Sequence, residues 1–201
     1  MRPQMELASI GRGFADPVFE SQAVFRRALH ALSRPGEIVE IDCRAELPEC
    51  LPRAAGALLL VLLDQDTRLW LARSPAGERA AAYLRFHTGC VLVSDPADAD
   101  VAFVATARDL PSLAAFAIGT EEHPERSATL LIQVDTLAPH GGWTLRGPGI
   151  AECALLASGG LDTRFVREWS ALQRLFPRGI DCFLASGDRL AGLPRTTRIE
   201  A

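Results

Sequence analysis

The sequence predicts one α/β domain in which a mixed β-sheet is flanked by helices, giving three layers. Helix-like and strand-like segments alternate along the chain, which is typical of helices packed on a sheet. No repeat or linker divides residues 1–201, so we expect a single domain. The gap between strand candidates at 143–146 and 153–157 is too short for a crossover helix. Part of the sheet should therefore be antiparallel.

The first helix has the strongest local signals. Asp16 can cap its first turn and Pro17 suits its first position. Ser33-Arg34-Pro35-Gly36 should end it. Its apolar residues recur at offsets of 0, 7, 11 and 14 and so share one face: Val18, Phe25, Leu29 and Leu32.

The remaining elements follow from apolar spacing and from Pro and Gly punctuation. Helices are predicted over 52–63, 74–86 and 163–176, with a short one in 111–117. Strands are predicted over 39–41, 68–72, 90–93, 101–105, 128–134, 143–146, 153–157 and 180–185. We expect the irregular stretches 120–126 and 136–142 to be loops. From residue 187 onward we expect loop, with a short strand near the end.

Composition excludes several classes of function. The formal net charge is −4, which disfavours a nucleic-acid-binding face. The longest apolar run, 54–63, is about half a bilayer span, and residues 1–13 contain no signal-peptide core, so we expect neither a membrane segment nor secretion. Five scattered cysteines without a C-x-x-C pair argue against a zinc site or disulfide framework and indicate a reducing, cytoplasmic location.

All 21 basic residues are arginine, and the chain contains no lysine. A Schiff base with pyridoxal phosphate or a carbonyl substrate is therefore impossible, as is a Walker A loop. Other catalytic motifs, including G-x-S-x-G, H-E-x-x-H and G-x-G-x-x-G, are missing too. The residues nominate no catalytic group, metal ligand or cofactor.

Three short segments carry side chains or turns suited to an oxyanion, because guanidinium and hydroxyl groups bind phosphate and carboxylate. They are the end of the third helix, the turn after 143–146 and the C-terminal tail. Their candidate anion contacts are Arg85, His87 and Thr88; Arg146 and Gly147; Arg195 and Arg198.

Each segment also has a structural interpretation. His87 would suit the negative end of its helix and Arg85 an internal salt bridge. The Arg146-Gly147-Pro148-Gly149 turn would be a tight link between strands. The tail would be solvated or form a subunit contact.

An ordered set of short motifs spans nearly the whole chain. Its members are Gly13-Phe14-Ala15-Asp16-Pro17-Val18, Gln22-x-x-Phe25-Arg26, Arg34-Pro35-Gly36, Leu62-Leu63-Asp64, Trp70-Leu71, Phe86-His87-Thr88-Gly89, Leu145-Arg146-Gly147-Pro148-Gly149-Ile150, Phe176-Pro177-x-Gly179-Ile180-Asp181 and Gly192-Leu193-Pro194-Arg195-Thr196-Thr197. In this order the set resembles the H subunit family of the bacterial carbon–phosphorus lyase complex.

The resemblance implies a cytoplasmic subunit of organic phosphonate catabolism that works with the G, I and J subunits and pairs as a homodimer when alone. It implies support for transferring an alkylphosphonate to the ribose of ATP with loss of adenine, the ribose 1-methylphosphonate 5-triphosphate synthase step. It also implies a fold like the large domain of pyridoxal-phosphate-dependent transferases. Since lysine is missing, such a fold would serve another purpose here.

Three hypotheses remain open at this point. The chain is a non-catalytic subunit that presents arginine-bearing loops and an apolar face to partners, a stand-alone enzyme acting on an anionic substrate, or a dimeric scaffold. The resemblance and the missing catalytic constellation favour the first.

Overall fold

The computed structural model describes residues 10–200, apart from the side chains of Pro75 and Ala76. It contains four α-helices: α1 (Pro17–Ser33), α2 (Arg53–Leu62), α3 (Pro75–Thr88) and α4 (Thr163–Gln173). Its ten strands are β1 (Ile38–Glu40), β2 (Arg68–Leu71), β3 (Val91–Val93), β4 (Val101–Val104), β5 (Thr129–Gln133), β6 (Thr136–Arg146), β7 (Ala154–Gly159), β8 (Asp181–Ser186), β9 (Arg189–Leu193) and β10 (Arg198–Glu200).

Seven strands form one mixed sheet in the order β1-β9-β8-β5-β4-β2-β3. Strands β3, β2, β4, β5 and β8 are parallel, and β9 and β1 continue the sheet antiparallel. The other three strands form a separate antiparallel sheet in the order β10-β6-β7. The predicted mixed α/β class is confirmed, and so is the antiparallel pairing on either side of the short 146–153 connection.

The large sheet is covered on both faces, as a sheet with parallel central strands must be. Alternate side chains such as Phe103 and Leu131 join a core with α1, α2 and α3. Their neighbours Ala102 and Leu130 point the other way and pack with α4 and the small sheet. We call these two sides of the large sheet the helical face and the α4 face.

Short-range chemistry sets where the helices begin. Asp16 accepts from the backbone N–H groups of Val18 and Phe19 at the start of α1, and Pro17 occupies the first turn. Ser74 and Asp162 cap α3 and α4 in the same way. Gly89 ends α3 in the left-handed conformation, with φ of 73°.

The apolar spacing in α1 predicts the helix correctly, but it does not mark the face that packs on the sheet. The buried residues of α1 are Val24, Ala28 and Ala31. Phe25 and Leu29 instead remain about half exposed on another side of the helix. Small side chains let α1 lie close to the sheet, and the larger ones are left at the surface.

Two segments that were not predicted to be strands contain one. Residues 136–142, expected to be irregular, belong to the long strand β6, whose pairing with β7 shifts register between Ala138 and Trp143. The tail after residue 187, expected to be mostly loop, contains β9 between β1 and β8. Strand β9 reads Arg-Leu-Ala-Gly-Leu, without the β-branched or aromatic residues that signal a strand.

Two further predicted helices are shorter than expected. The helix expected in 111–117 is a single 3₁₀ turn at Leu113–Ala115, and α4 ends at Gln173. None of the helices within residues 10–200 has the length and apolar character needed to cross a bilayer. Most of 1–13, where no signal core was found, lies outside the described residues.

Gly192 of β9 lies close beneath the backbone of α1. A Cβ atom at this position would lie 2.6 Å from the backbone of Ala31 and Leu32. We expect Gly192→Ala to lower the free energy of unfolding by about 1–3 kcal/mol, because rigid backbone must move to admit the methyl group. Urea denaturation of both proteins measures the difference.

The matched control is Gly141→Ala in β6. Gly141 has φ of 70° with nothing within 4 Å of an added Cβ, so its substitution tests backbone strain of about 1 kcal/mol without a clash. A loss below about 1 kcal/mol for Gly192→Ala would contradict the close approach.

Candidate functional site

His87 lies at the end of α3 and holds the N-terminal segment against the helical face. Its Nε2 atom donates a hydrogen bond to the carbonyl oxygen of Gly11 at 2.9 Å. Its ring packs on Tyr83 with a centroid separation of 4.4 Å. A Cβ atom on Gly13 would lie 3.1 Å from the Nδ1 atom of His87, so the glycine allows the chain to pass close to the ring.

Thr88 and Arg85 differ in whether their polar groups bond to the rest of the protein. The hydroxyl of Thr88 donates to the carbonyl of Leu84 at 2.8 Å and accepts from the N–H of Cys90 at 3.2 Å, so it closes the end of α3. Arg85 is exposed, and within residues 10–200 it takes part in no ion pair. Of the three candidates in this segment, Arg85 is the one whose side chain makes no hydrogen bond or ion pair with another residue in 10–200.

Tyr83 is almost fully buried beneath the same N-terminal segment. Its hydroxyl donates to the carbonyl of Arg12 at 3.1 Å. Burial raises the pKa of Tyr83 to about 12, with smaller contributions from Cys43 and Glu46. The buried phenol and the hydrogen-bonded imidazole together show that this segment is a packing junction.

The other two candidate segments meet on the α4 face. Arg146 and Arg198 are directly opposite each other on β6 and β10. Gly147, with φ of 139°, lies so close to the next turn that a Cβ atom would be 2.8 Å from the carbonyl oxygen of Thr196. The group that lies against Gly147 is thus the chain's own Thr196–Thr197 turn.

Arg195 is the centre of a polar cluster inside the protein. Its guanidinium forms an ion pair with Asp181, with an Nη2–Oδ2 distance of 2.5 Å, and both side chains are largely buried. It also donates to the carbonyl of Pro124 at 2.8 Å and to the hydroxyl of Ser127 at 2.6 Å. Arg195 therefore ties together three separate parts of the chain.

An open cleft of about 380 Å³ lies between the end of α4 and the turn before β10. We call it the arginine cleft. It is lined by Gln173, Arg174, Phe176, Arg195, Thr196 and Arg198. Three of these residues are arginines and none is acidic, so the cleft is electropositive.

Three larger clefts have different linings, and one of about 490 Å³ lies between His87 and the start of α1. One of about 550 Å³, between α1 and residues 40–44, contains both acidic and arginine side chains. Another of about 440 Å³ lies at the carboxyl ends of β2 and β3, beside Arg73 and the start of α3. Parallel sheets commonly bind ligands at this edge, but sequence reasoning had not singled out Arg73.

The structure thus brings Arg146, Gly147, Arg195 and Arg198 together and leaves the His87 segment on the opposite side of the large sheet. Arg195 and Arg198 line the arginine cleft, and sequence reasoning missed Arg174 and Phe176 as further members of it. The apolar spacing predicts helix through Phe176, whereas α4 ends at Gln173 and both residues lie at the rim of the cleft. The sequence signal that could have found them is the pair of arginines, Arg174 and Arg178, on either side of Phe176-Pro177.

Fold and clefts define a mixed α/β protein with arginine-lined surface clefts. Within residues 10–200, no group of three or more His, Cys, Asp or Glu side chains is placed to hold a metal ion. The chain belongs to the family described as bacterial phosphonate metabolism protein (PhnH), whose model matches residues 12–200.

Two curated relatives cover most of the chain. A Rhizobium meliloti (strain 1021) protein named alpha-D-ribose 1-methylphosphonate 5-triphosphate synthase subunit PhnH is 40% identical over 189 residues, which cover 93% of this chain and 94% of the relative. A Stutzerimonas stutzeri protein named putative C-P lyase subunit protein HtxG is 31% identical over 186 residues, covering 89% and 85%. The family predicted from the motif set is confirmed.

The single tyrosine of the chain allows a direct test of the packing junction. We expect Tyr83 to titrate near pH 12 in the folded protein and near its ordinary value of about 10 when unfolded. The folded state then keeps a proton that the unfolded state has released, so stability should fall as pH rises from about 10 to 12.

The ultraviolet absorbance of tyrosinate measures both titrations, with urea providing the unfolded sample. Tyr83→Phe should remove the signal altogether. A folded protein that titrates near pH 10 would show that the phenol is solvated and that the junction is open.

Substituting Arg195 should cost stability before it affects any ligand. Arg195→Ala leaves the carboxylate of Asp181 without its partner, and we expect a loss of about 2–4 kcal/mol in the free energy of unfolding. Arg198→Ala is the matched control, because Arg198 is exposed and makes no ion pair with another described residue. Thermal or urea unfolding compares the two, and equal stabilities would rule out the structural role of Arg195.

Proposed function

We propose that this chain is a non-catalytic subunit of a cytoplasmic multi-subunit complex that degrades organic phosphonates. Its step would be the ribose 1-methylphosphonate 5-triphosphate synthase reaction, in which an alkylphosphonate is transferred to the ribose of ATP and adenine leaves. The observation that carries the proposal is 40% identity across nearly the full length of a relative named as a subunit of that synthase. The partners would be the G, I and J subunits of the carbon–phosphorus lyase complex.

The lack of lysine supports an accessory role. We infer a fold relationship to the large domain of pyridoxal-phosphate-dependent transferases, whose cofactor is held through a lysine amine. No side chain of this chain can form that bond. The imidazole of His87 and the hydroxyl of Thr88, the polar groups that suggested chemistry, form internal hydrogen bonds. Chemistry would therefore take place on other subunits or between subunits.

The outer face of α1 is the surface we assign to partner contact. Val18, Phe19, Phe25 and Leu29 are between 45% and 73% exposed, and exposed apolar patches of this kind commonly mark protein interfaces. Two copies would pair through the same surface when no other subunit is present. A subunit that exchanges a homodimer contact for a complex contact needs only one such face.

Affinity purification of tagged chain from cells growing on methylphosphonate tests this assignment. We expect the native chain to bring down the other subunits and to restore growth to a strain lacking its own copy. Leu29→Glu should reduce recovery of the partners at least tenfold and abolish growth, because a carboxylate in an apolar interface is desolvated without a counter-charge.

Leu155→Glu is the control, because Leu155 is a similarly exposed leucine on β7 of the small sheet. It should leave recovery and growth unchanged. Recovery of the native chain without any partner would refute the proposed function. Equal recovery of the partners with Leu29→Glu and native chain would move the contact away from α1.

A further inference from the structure

The arginine cleft carries positive charge that the surrounding protein does not neutralise. Arg195 is paired with Asp181, and Arg146 has Glu200, with an Nε–Oε2 distance of 3.5 Å. Arg174 and Arg198 form no ion pair with any residue in 10–200. Two full charges are thus left at the rim of one cleft.

The position of Arg198 makes this excess positive charge destabilising. It is the direct cross-strand partner of Arg146, and like charges at opposed strand positions destabilise a sheet. Glu200 lies two residues further along β10, on the same side, and its carboxylate is already beside Arg146. A sheet that needed only structural stability would have a neutral or acidic residue at position 198.

The negative end of the α4 dipole offsets only part of the positive charge of the cleft. A helix C-terminus carries the equivalent of about half a negative charge, and Arg174 is the C-cap residue of α4. Half a charge cannot neutralise two guanidinium groups. An anion in the cleft would neutralise the rest of this charge and, through Arg198, would reduce the repulsion between Arg146 and Arg198.

Phe176 adds an apolar surface to the same cleft. Its side chain is 63% exposed at the rim, although burial of a phenylalanine is worth about 1.5–3 kcal/mol. Aromatic rings exposed beside arginines are the arrangement on which flat bases stack while phosphates bind the cations. The cleft volume of about 380 Å³ is within the usual range for small-molecule sites.

We propose that the arginine cleft binds a phosphate-bearing organic anion of the nucleotide class, with its phosphates on Arg174 and Arg198 and its flat ring on Phe176. Gln173 and Arg195 also line the cleft, where the Gln173 amide donates to the carbonyl of Thr196 and Arg195 is held by Asp181. The geometry supplies the ligand class, and the relevance of a ribose triphosphate rests on the proposed function.

Calorimetric titration of the full-length chain at low salt tests the site with three probes: ATP, inorganic triphosphate and adenosine. We expect ATP to bind with a Kd below about 1 mM, triphosphate more weakly and adenosine most weakly. Arg174→Gln and Arg198→Gln should each weaken ATP and triphosphate by about tenfold, since each removes one charge-assisted contact. Phe176→Leu should weaken ATP by about tenfold and leave triphosphate unchanged.

Matched controls lie on α3, across the large sheet. Arg79→Gln removes the same charge and Phe86→Leu the same exposed ring, and neither should change any affinity. Absence of ATP binding at 1 mM would overturn the proposal. So would an Arg79→Gln effect as large as that of Arg198→Gln, because it would mean attraction by overall charge alone.

Failure of the cleft proposal and failure of the proposed function would give different experimental results. Loss of ATP binding in Arg198→Gln together with intact partner recovery supports the cleft as a ligand site within the complex. Intact partner recovery by a native chain that binds no ATP overturns the cleft proposal and leaves the proposed function in place. Binding of ATP by a chain that recovers no partner supports the cleft and refutes the proposed function.

Discussion

The seven-stranded sheet is the constraint on which the rest of the structure depends. Its parallel central strands are apolar on both faces, as in Val101–Val104, where all four side chains are buried. Both faces must therefore be covered. Three helices cover one face, and α4 with the small sheet covers the other. This division separates the His87 junction from the arginine cleft and fixes which candidate residues can act together.

The helix starts and most strands could be predicted because their causes lie within a few residues. Asp16, Ser74 and Asp162 bond to N–H groups two or three positions ahead, so the sequence alone reveals them. Strand β9 could not be predicted in this way. It is held by pairing with β1 and β8 on both sides, and Gly192 is there because α1 passes directly above it. Long-range packing overrides local propensity at such positions.

The side chains of the candidate site were also hard to predict where their contacts are distant in the sequence. An exposed tail and a structural hub are indistinguishable in the sequence around Arg195, since its partners Asp181, Ser127 and Pro124 are between 14 and 71 residues away. Reasoning from the sequence named Arg146, Arg195 and Arg198 as candidate anion contacts, and two of them, Arg195 and Arg198, line the arginine cleft. It did not identify Arg174 and Phe176, which reach the cleft only because α4 stops a turn earlier than its apolar spacing suggests.

Family membership establishes the metabolic process, whereas geometry constrains the part that this chain plays in it. A chain without lysine cannot perform aldimine chemistry, whatever fold it shares. Its arginine side chains can still place positive charge in a cleft. An apolar face on α1 and an electropositive cleft beyond α4 lie on opposite sides of the large sheet. A subunit held by the first surface keeps the second accessible, so attachment and anion binding need not compete. Under the proposed function, that separation would let the chain hold a charged reactant while other subunits perform the chemistry.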